Sequence, residues 1–156
     1  MSGKSKPGPP QGFIGTALTD LEVAWRERIE EAEVLETAGF HSTAAALRLY
    51  ALEILVKVVI CKHLGLSLLP VVCKKHELVN LIIHTGLWKE LQVDPPTRLL
   101  ANWDILANYS ESRLNDLRYE PREKLTEADA TRIKEALHGS EQHPDDGVVA
   151  WLSKHI

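Results

Sequence analysis

Cysteine is scarce in this chain, with two residues among 156. Two are too few for a disulfide framework, and a reducing, cytoplasmic setting is the expectation. A long uncharged apolar run is also missing. The nearest approach, AAALRLYALEILVKVVICKHL at 44–64, is interrupted by Arg48, Glu53, Lys57 and Lys62. It reads as a central core helix rather than a membrane span, and no membrane contact is expected. The opening MSGKSKPGPPQG has two lysines but no apolar segment behind them, so no signal peptide is expected. Residues 1–14 read as a flexible tail and 15–156 as one domain. Strand signals are weak, because β-branched clusters are short and lie inside longer helical patterns. Excess positive charge is absent too. The net charge of −4 argues against a surface that grips nucleic acid everywhere, but leaves room for a local basic patch.

What is present is helical periodicity with ends. Thr19 followed by Glu22 has the order of a capping box, and Leu21, Trp25, Ile29, Ala32 and Leu35 share one face. This predicts a first helix over about 19–38, stopped by Gly39. A second helix is predicted over about 41–64, apolar on nearly all sides and antiparallel to the first. A shorter one follows at about 74–85, and LWKEL adds a candidate turn. Pro95 and Pro96 break the chain before a helix at about 97–109, with Leu99, Leu100, Trp103 and Leu106 inward. ESRLNDLRYEP either extends that helix or forms a short one. Thr126 and Asp129 are in capping-box order for another helix. Ile133, Leu137, Val148 and Leu152 keep a roughly helical phase across Pro144, so the C-terminus is either one kinked helix or two. The sum is an all-α, up-and-down bundle of four to five main helices, with a short extra helix near 74–85.

The stretch CKHLGLSLLPVVCKKH, 61–76, holds both cysteines and two histidines, all of them good zinc ligands. Cys61 and His63 fall in the last turn of a helix, where residues two apart point about 200° from each other. They cannot easily share a metal. Cys61 is better read as a core residue, Cys73 as a loop residue and the histidines as polar surface or pocket groups. No metal and no cofactor are expected. His138 and His143 are read as part of a solvated connection.

Glu53 and Lys57 stand four apart inside the apolar second helix, the favourable order for an ion pair. Charge at such a position is either a structural couple at the edge of the core or part of a site that needs it. From 57 to 76 there are Lys57, Lys62, Lys74 and Lys75, with His63 and His76, and no acid. These lysines either serve helix ends and solvent or steer a phosphate backbone.

Taken together, these residues resemble the HEPN superfamily (higher eukaryotes and prokaryotes nucleotide-binding domains). AEVLETAGFHSTAAALRLYALEILVKVVI is similar to its first helical hairpin, with small residues, then Tyr50, Ala51, Glu53 and Lys57. KKHELVNLI resembles its short His-x-Leu helix, through His76 and Leu78. NDLRYEP resembles its Arg-Tyr element, through Arg118 and Tyr119, and VVAWLSKHI its Trp-Leu ending. The resemblance covers about 25–156. It implies a helical bundle, often dimeric, linked to RNA cleavage, toxin–antitoxin pairs, phage defence or nucleotidyltransferase partners. The family's ribonucleases use an Arg followed by four to six residues and a His. Here the segment after Arg113 is LNDLRYE and that after Arg118 is YEPREK; the next histidine is His138. Arginine is too basic to move a proton, whereas histidine titrates in the right range. Either Arg113 or Arg118 could occupy the family's arginine position.

Three functional expectations follow. The first is a module without the usual ribonuclease motif that binds RNA, nucleotide or a protein partner, with Arg118, Arg113, Lys57, Glu53 and His76 as a polar cleft and Lys74 and Lys75 beside it. The second is an active metal-independent ribonuclease using Arg118, with His76 or Tyr119. The third is a structural bundle in which Glu53, Lys57 and Arg118 form one buried network. A homodimer, an RNA or nucleotide ligand and a nucleotidyltransferase-type partner are the interactions the resemblance implies.

Overall fold

A computed structural model describes residues 13–156. The expectation for the tail over 1–12 lies outside the described residues. The short strand β1, Phe13–Ala17, leads directly into α1, Leu18–Thr37. A three-residue turn connects α1 to α2, His41–Leu64. Next come β2, Leu68–Pro70, and a 3-10 turn at Val71–Cys73. The short helices α3, Leu78–His84, and α4, Trp88–Leu91, follow. The rest of the bundle is α5, Arg98–Ser112, α6, Glu127–His138, and α7, Val148–Ser153. Among the described residues no helix is long and apolar enough to cross a membrane.

The architecture is the expected all-α bundle, built around α2. Its side chains at Leu49, Leu52, Leu55, Val56, Val58 and Ile60 are completely buried. Each such burial is worth roughly 1.5–3 kcal/mol. The other helices close on α2 through Leu21 and Trp25 of α1, Trp103 and Leu106 of α5, Ile133 and Leu137 of α6, and Val148 and Leu152 of α7. Gly65 ends α2 in a left-handed conformation (φ 65°), and the Leu66 N–H returns to the Cys61 carbonyl at 2.8 Å. A residue without a Cβ adopts that backbone without strain.

Several local expectations change. β1 pairs antiparallel with β2, Phe13 opposite Pro70 and Ala17 opposite Leu68, with an irregular register between them. The pairing starts at Phe13, inside the stretch expected to be tail. Its partner has three residues, too few to show a period-two pattern in the sequence. The Thr19–Glu22 capping box does not form, because α1 begins one residue earlier, after an extended Ala17. Residues 74–77 are not helical, and α3 starts only at Leu78. The ambiguous ESRLNDLRYEP extends α5 through Ser112 and then breaks into a 3-10 turn at Asp116–Arg118. The Thr126–Asp129 box is present, with both reciprocal bonds. The C-terminus is two helices. Gly139, at φ 87°, sits so close to the Pro144 carbonyl that a Cβ there would overlap it, and this close turn separates α6 from α7.

Candidate polar site on the second helix

Glu53 and Lys57 are both nearly inaccessible, at 6% and 8% exposure. The Lys57 Nζ donates to Glu53 Oε1 at 2.6 Å, as the i, i+4 spacing allows. The same oxygen lies 2.9 Å from His76 Nδ1. His76 belongs to the irregular 74–77 segment, and its side chain is 82% exposed while that of Glu53 is 8% exposed. The other carboxylate oxygen, Glu53 Oε2, is buried without a hydrogen-bond partner among the described residues. The non-helical 74–77 segment thus swings His76 back over α2, and a buried couple acquires a solvent-facing member.

One turn earlier on α2, the Tyr50 hydroxyl accepts a hydrogen bond from Arg118 Nε at 3.0 Å. The guanidinium also lies 5.8 Å from the centre of the Tyr50 ring, within the range of a cation–π contact. Arg118 is exposed and does not join Glu53 and Lys57 in a buried network, so the arrangement expected for a purely structural bundle is not the one adopted. The reason is local: the 3-10 turn at Asp116–Arg118 carries the chain over the outside of α2. Arg113 is placed elsewhere, bonded to Glu120 Oε2 at 2.7 Å and to the Lys124 carbonyl at 3.3 Å. Tyr119 points to solvent at 87% exposure. Lys74 and Lys75 are exposed beside His76, and among the described residues neither makes a salt bridge. The structure therefore joins Glu53, Lys57 and His76, sets Tyr50 and Arg118 beside them, and leaves Arg113 and Tyr119 out.

The two thiols lie in the core. Burial pushes Cys61 up, with Cys73 adding to it; burial also pushes Cys73 up, partly opposed by the charge of Lys57. Both are held as thiols, the form that binds metal poorly. His63 is exposed, its ring packed against Gly86. Among the described residues no three His, Cys, Asp or Glu side chains gather to hold a metal ion.

A second buried charge went unremarked in the sequence. Arg48 is fully buried, and its Nη2 donates to Glu36 Oε2 at 3.0 Å. Lys134 Nζ reaches the same oxygen at 2.8 Å, so this cluster ties α1, α2 and α6. Burial alone would raise the Glu36 carboxyl, but the hydrogen bonds from Lys134 and Arg48 outweigh it and hold the group below its usual range. His138, expected in a solvated connection, is instead half-buried in the last turn of α6. Burial first, then the Arg48 charge, keeps its pKa below the ordinary value. A charged residue within an apolar run and an acid twelve positions earlier were the available signals, but nothing in a pattern shows that α1 would bring the two together.

Several surface grooves lie away from these residues. One of about 240 Å³ is lined by Ile105, Asn108, Tyr109, Ser112 and Arg132, another of about 340 Å³ by His41, Arg122, Thr126 and neighbours. No protein-family model, no curated protein and no solved structure matches the chain.

Proposed function

We propose that the chain is a HEPN-like helical module that binds single-stranded RNA on the face of α2 bearing Arg118, Tyr50 and His76. The observation that carries this is the state of Arg118. Its Nε is tied to Tyr50, so the planar fork is oriented, and among the described residues its terminal nitrogens take no partner. An oriented, exposed guanidinium presents bidentate donors to a phosphate. The aromatic ring of Tyr50 lies next to it, a surface for base stacking. The basic segment with Lys74 and Lys75 extends the positive surface in a chain of net charge −4, so attraction would be local rather than global.

The test is fluorescence anisotropy of a labelled single-stranded RNA with wild-type protein and Arg118→Ala over a salt series. Wild type should bind, and the variant should bind more weakly with a salt slope lower by about 0.7. Equal affinity and slope in the two proteins, or no binding by wild type, would refute the assignment. The resemblance adds a homodimer and a nucleotidyltransferase-type partner to this proposal. Light scattering of the purified chain tests the first, and co-purification with such an enzyme the second.

A further inference from the structure

We propose that the groove between α5 and α6 binds a small carboxylate carrying a flat apolar group, with Arg132 as its anchor. The site is apart from the α2 face and does not depend on the RNA-binding reading. The groove has a volume of about 240 Å³ and is lined by Ile105, Asn108, Tyr109 and Ser112 of α5 and by Arg132 of α6. Positions 105, 108, 109 and 112 recur at helical spacing, so they form one face of α5. Beneath that face, Trp103 and Leu106 share the core with Ile133 and Leu137 of α6. Above it, the Tyr109 hydroxyl donates to Asp129 Oδ1 at 2.7 Å and ties the two helices together.

Of the five lining side chains, Arg132 alone is charged. It is exposed, and among the described residues it makes no salt bridge. Asp129, three positions earlier on α6, is already engaged: one oxygen takes the Tyr109 hydroxyl, the other the Thr126 N–H and hydroxyl. Burial first, then Asp129, push the Tyr109 hydroxyl up, and the nearby charge of Arg132 opposes them. The hydroxyl thus keeps its proton and gives it to Asp129, and only its oxygen is left for the guanidinium. One oxygen occupies few of the five donors of an arginine. The rest of the planar fork is free, and it matches the two oxygens of a carboxylate.

The other lining groups narrow the ligand further. A phosphate monoester carries close to two negative charges near neutrality, and a single guanidinium balances only one. The Ser112 hydroxyl donates to the Asn108 carbonyl at 2.6 Å, so its proton is taken. The exposed Asn108 side chain supplies a second donor for the acid. Ile105 and Tyr109 are half-buried and offer apolar walls, one of them an aromatic ring that favours a flat partner. The volume is below the ~300–1,000 Å³ of sites for drug-sized ligands, which fits an acid with one ring. Packing of α5 on α6 explains the walls. It does not need the guanidinium, which compensates no acid.

The experiment is nitrogen-15 NMR of the full chain at constant ionic strength, titrated separately with benzoate, benzamidine, acetate and phenyl phosphate. Benzoate should move the Arg132 Nε–H and the amides of Asn108, Tyr109 and Ser112 saturably, with a Kd on the order of 1 mM for so small a ligand. Benzamidine has the same shape and the opposite charge, and it should move none of them. Acetate keeps the charge without the ring and should bind roughly 10-fold or more weakly. Arg132→Gln should weaken benzoate roughly 10-fold or more, with an unchanged urea midpoint because the position is exposed. No saturable shift with benzoate, equal binding by Arg132→Gln, or equal shifts with benzamidine would overturn the site. Acetate as tight as benzoate, or phenyl phosphate tighter, would overturn the class of ligand assigned to it.

Discussion

Replacing Glu36 by glutamine should destabilise the bundle more than any other single charge removal on α1. Arg48 has no access to solvent, and its Nε and Nη1 are buried without partners among the described residues. Glu36 is the anion at 3.0 Å that compensates it. Removing one partner of a buried pair costs about 3–5 kcal/mol, because a charge is left without compensation. The lower end applies here, since the Glu36 side chain is 23% exposed and water will partly enter. The expected loss is therefore about 3 kcal/mol, or a fall of roughly 1–3 M in the urea midpoint. The reverse perturbation is unequal. Arg48→Met removes the desolvated charge itself and leaves Glu36 with Lys134 at 2.8 Å, so it should lie between neutral and a small gain. Adding Arg48→Met to Glu36→Gln should recover most of the loss. Lys134→Ala, at a largely exposed position, should cost less than about 1 kcal/mol. Urea unfolding of the four variants reads all of this. A Glu36→Gln loss below about 1 kcal/mol, or no recovery in the double variant, would refute the reasoning.

Acidification should weaken the fold in two stages. His138 is held below its ordinary pKa by burial and by Arg48. The stability it contributes is thus complete above the unfolded value of about 6.5 and is lost as pH falls through the folded one. Glu36 and Asp129 are also lowered, so their contributions are lost further down, below about 4. Urea midpoints from pH 8 to 4 should show both limbs, and His138→Gln should flatten the first while leaving the second. Thr126→Ala removes the capping-box oxygen that accepts from the Asp129 N–H at 3.1 Å. It should cost about 1 kcal/mol, and an unchanged midpoint would show that the box adds nothing to packing.

The sequence yields the helices that carry their own ends and hides the contacts that depend on chain crossings. α2 was readable to the residue because Gly65 stops it and its apolar run is continuous, and the Thr126 box marked α6. The pairing of β1 with β2 was not readable, since three residues carry no periodicity. At the site, Glu53 and Lys57 were visible as an i, i+4 pair. That His76 completes them depends on residues 74–77 leaving helical geometry, and periodicity suggested the opposite. Arg118 was visible as a candidate, but its choice of Tyr50 over Glu53 follows from the 3-10 turn after α5. Arg48 and Glu36 meet only because α1 folds back on α2.

The buried charges of α2 separate by direction into different tasks. At 3.6 residues per turn, Lys57 lies about 180° around the helix from Arg48, and Glu53 about 140° from it. Arg48 faces α1 and α6, where Glu36 and Lys134 complete a set of ion pairs between helices. That set links three elements of the bundle, and changing it should change stability. Glu53 and Lys57 face the irregular segment after β2, and their set ends in a histidine that projects into solvent. An outward-facing imidazole links no second helix to the core, so removing it should leave stability almost unchanged. Stability measurements on Glu36→Gln and His76→Ala therefore divide the two faces: the first should unfold early and the second should not. Any loss of RNA binding in His76→Ala would then stand apart from any loss of structure.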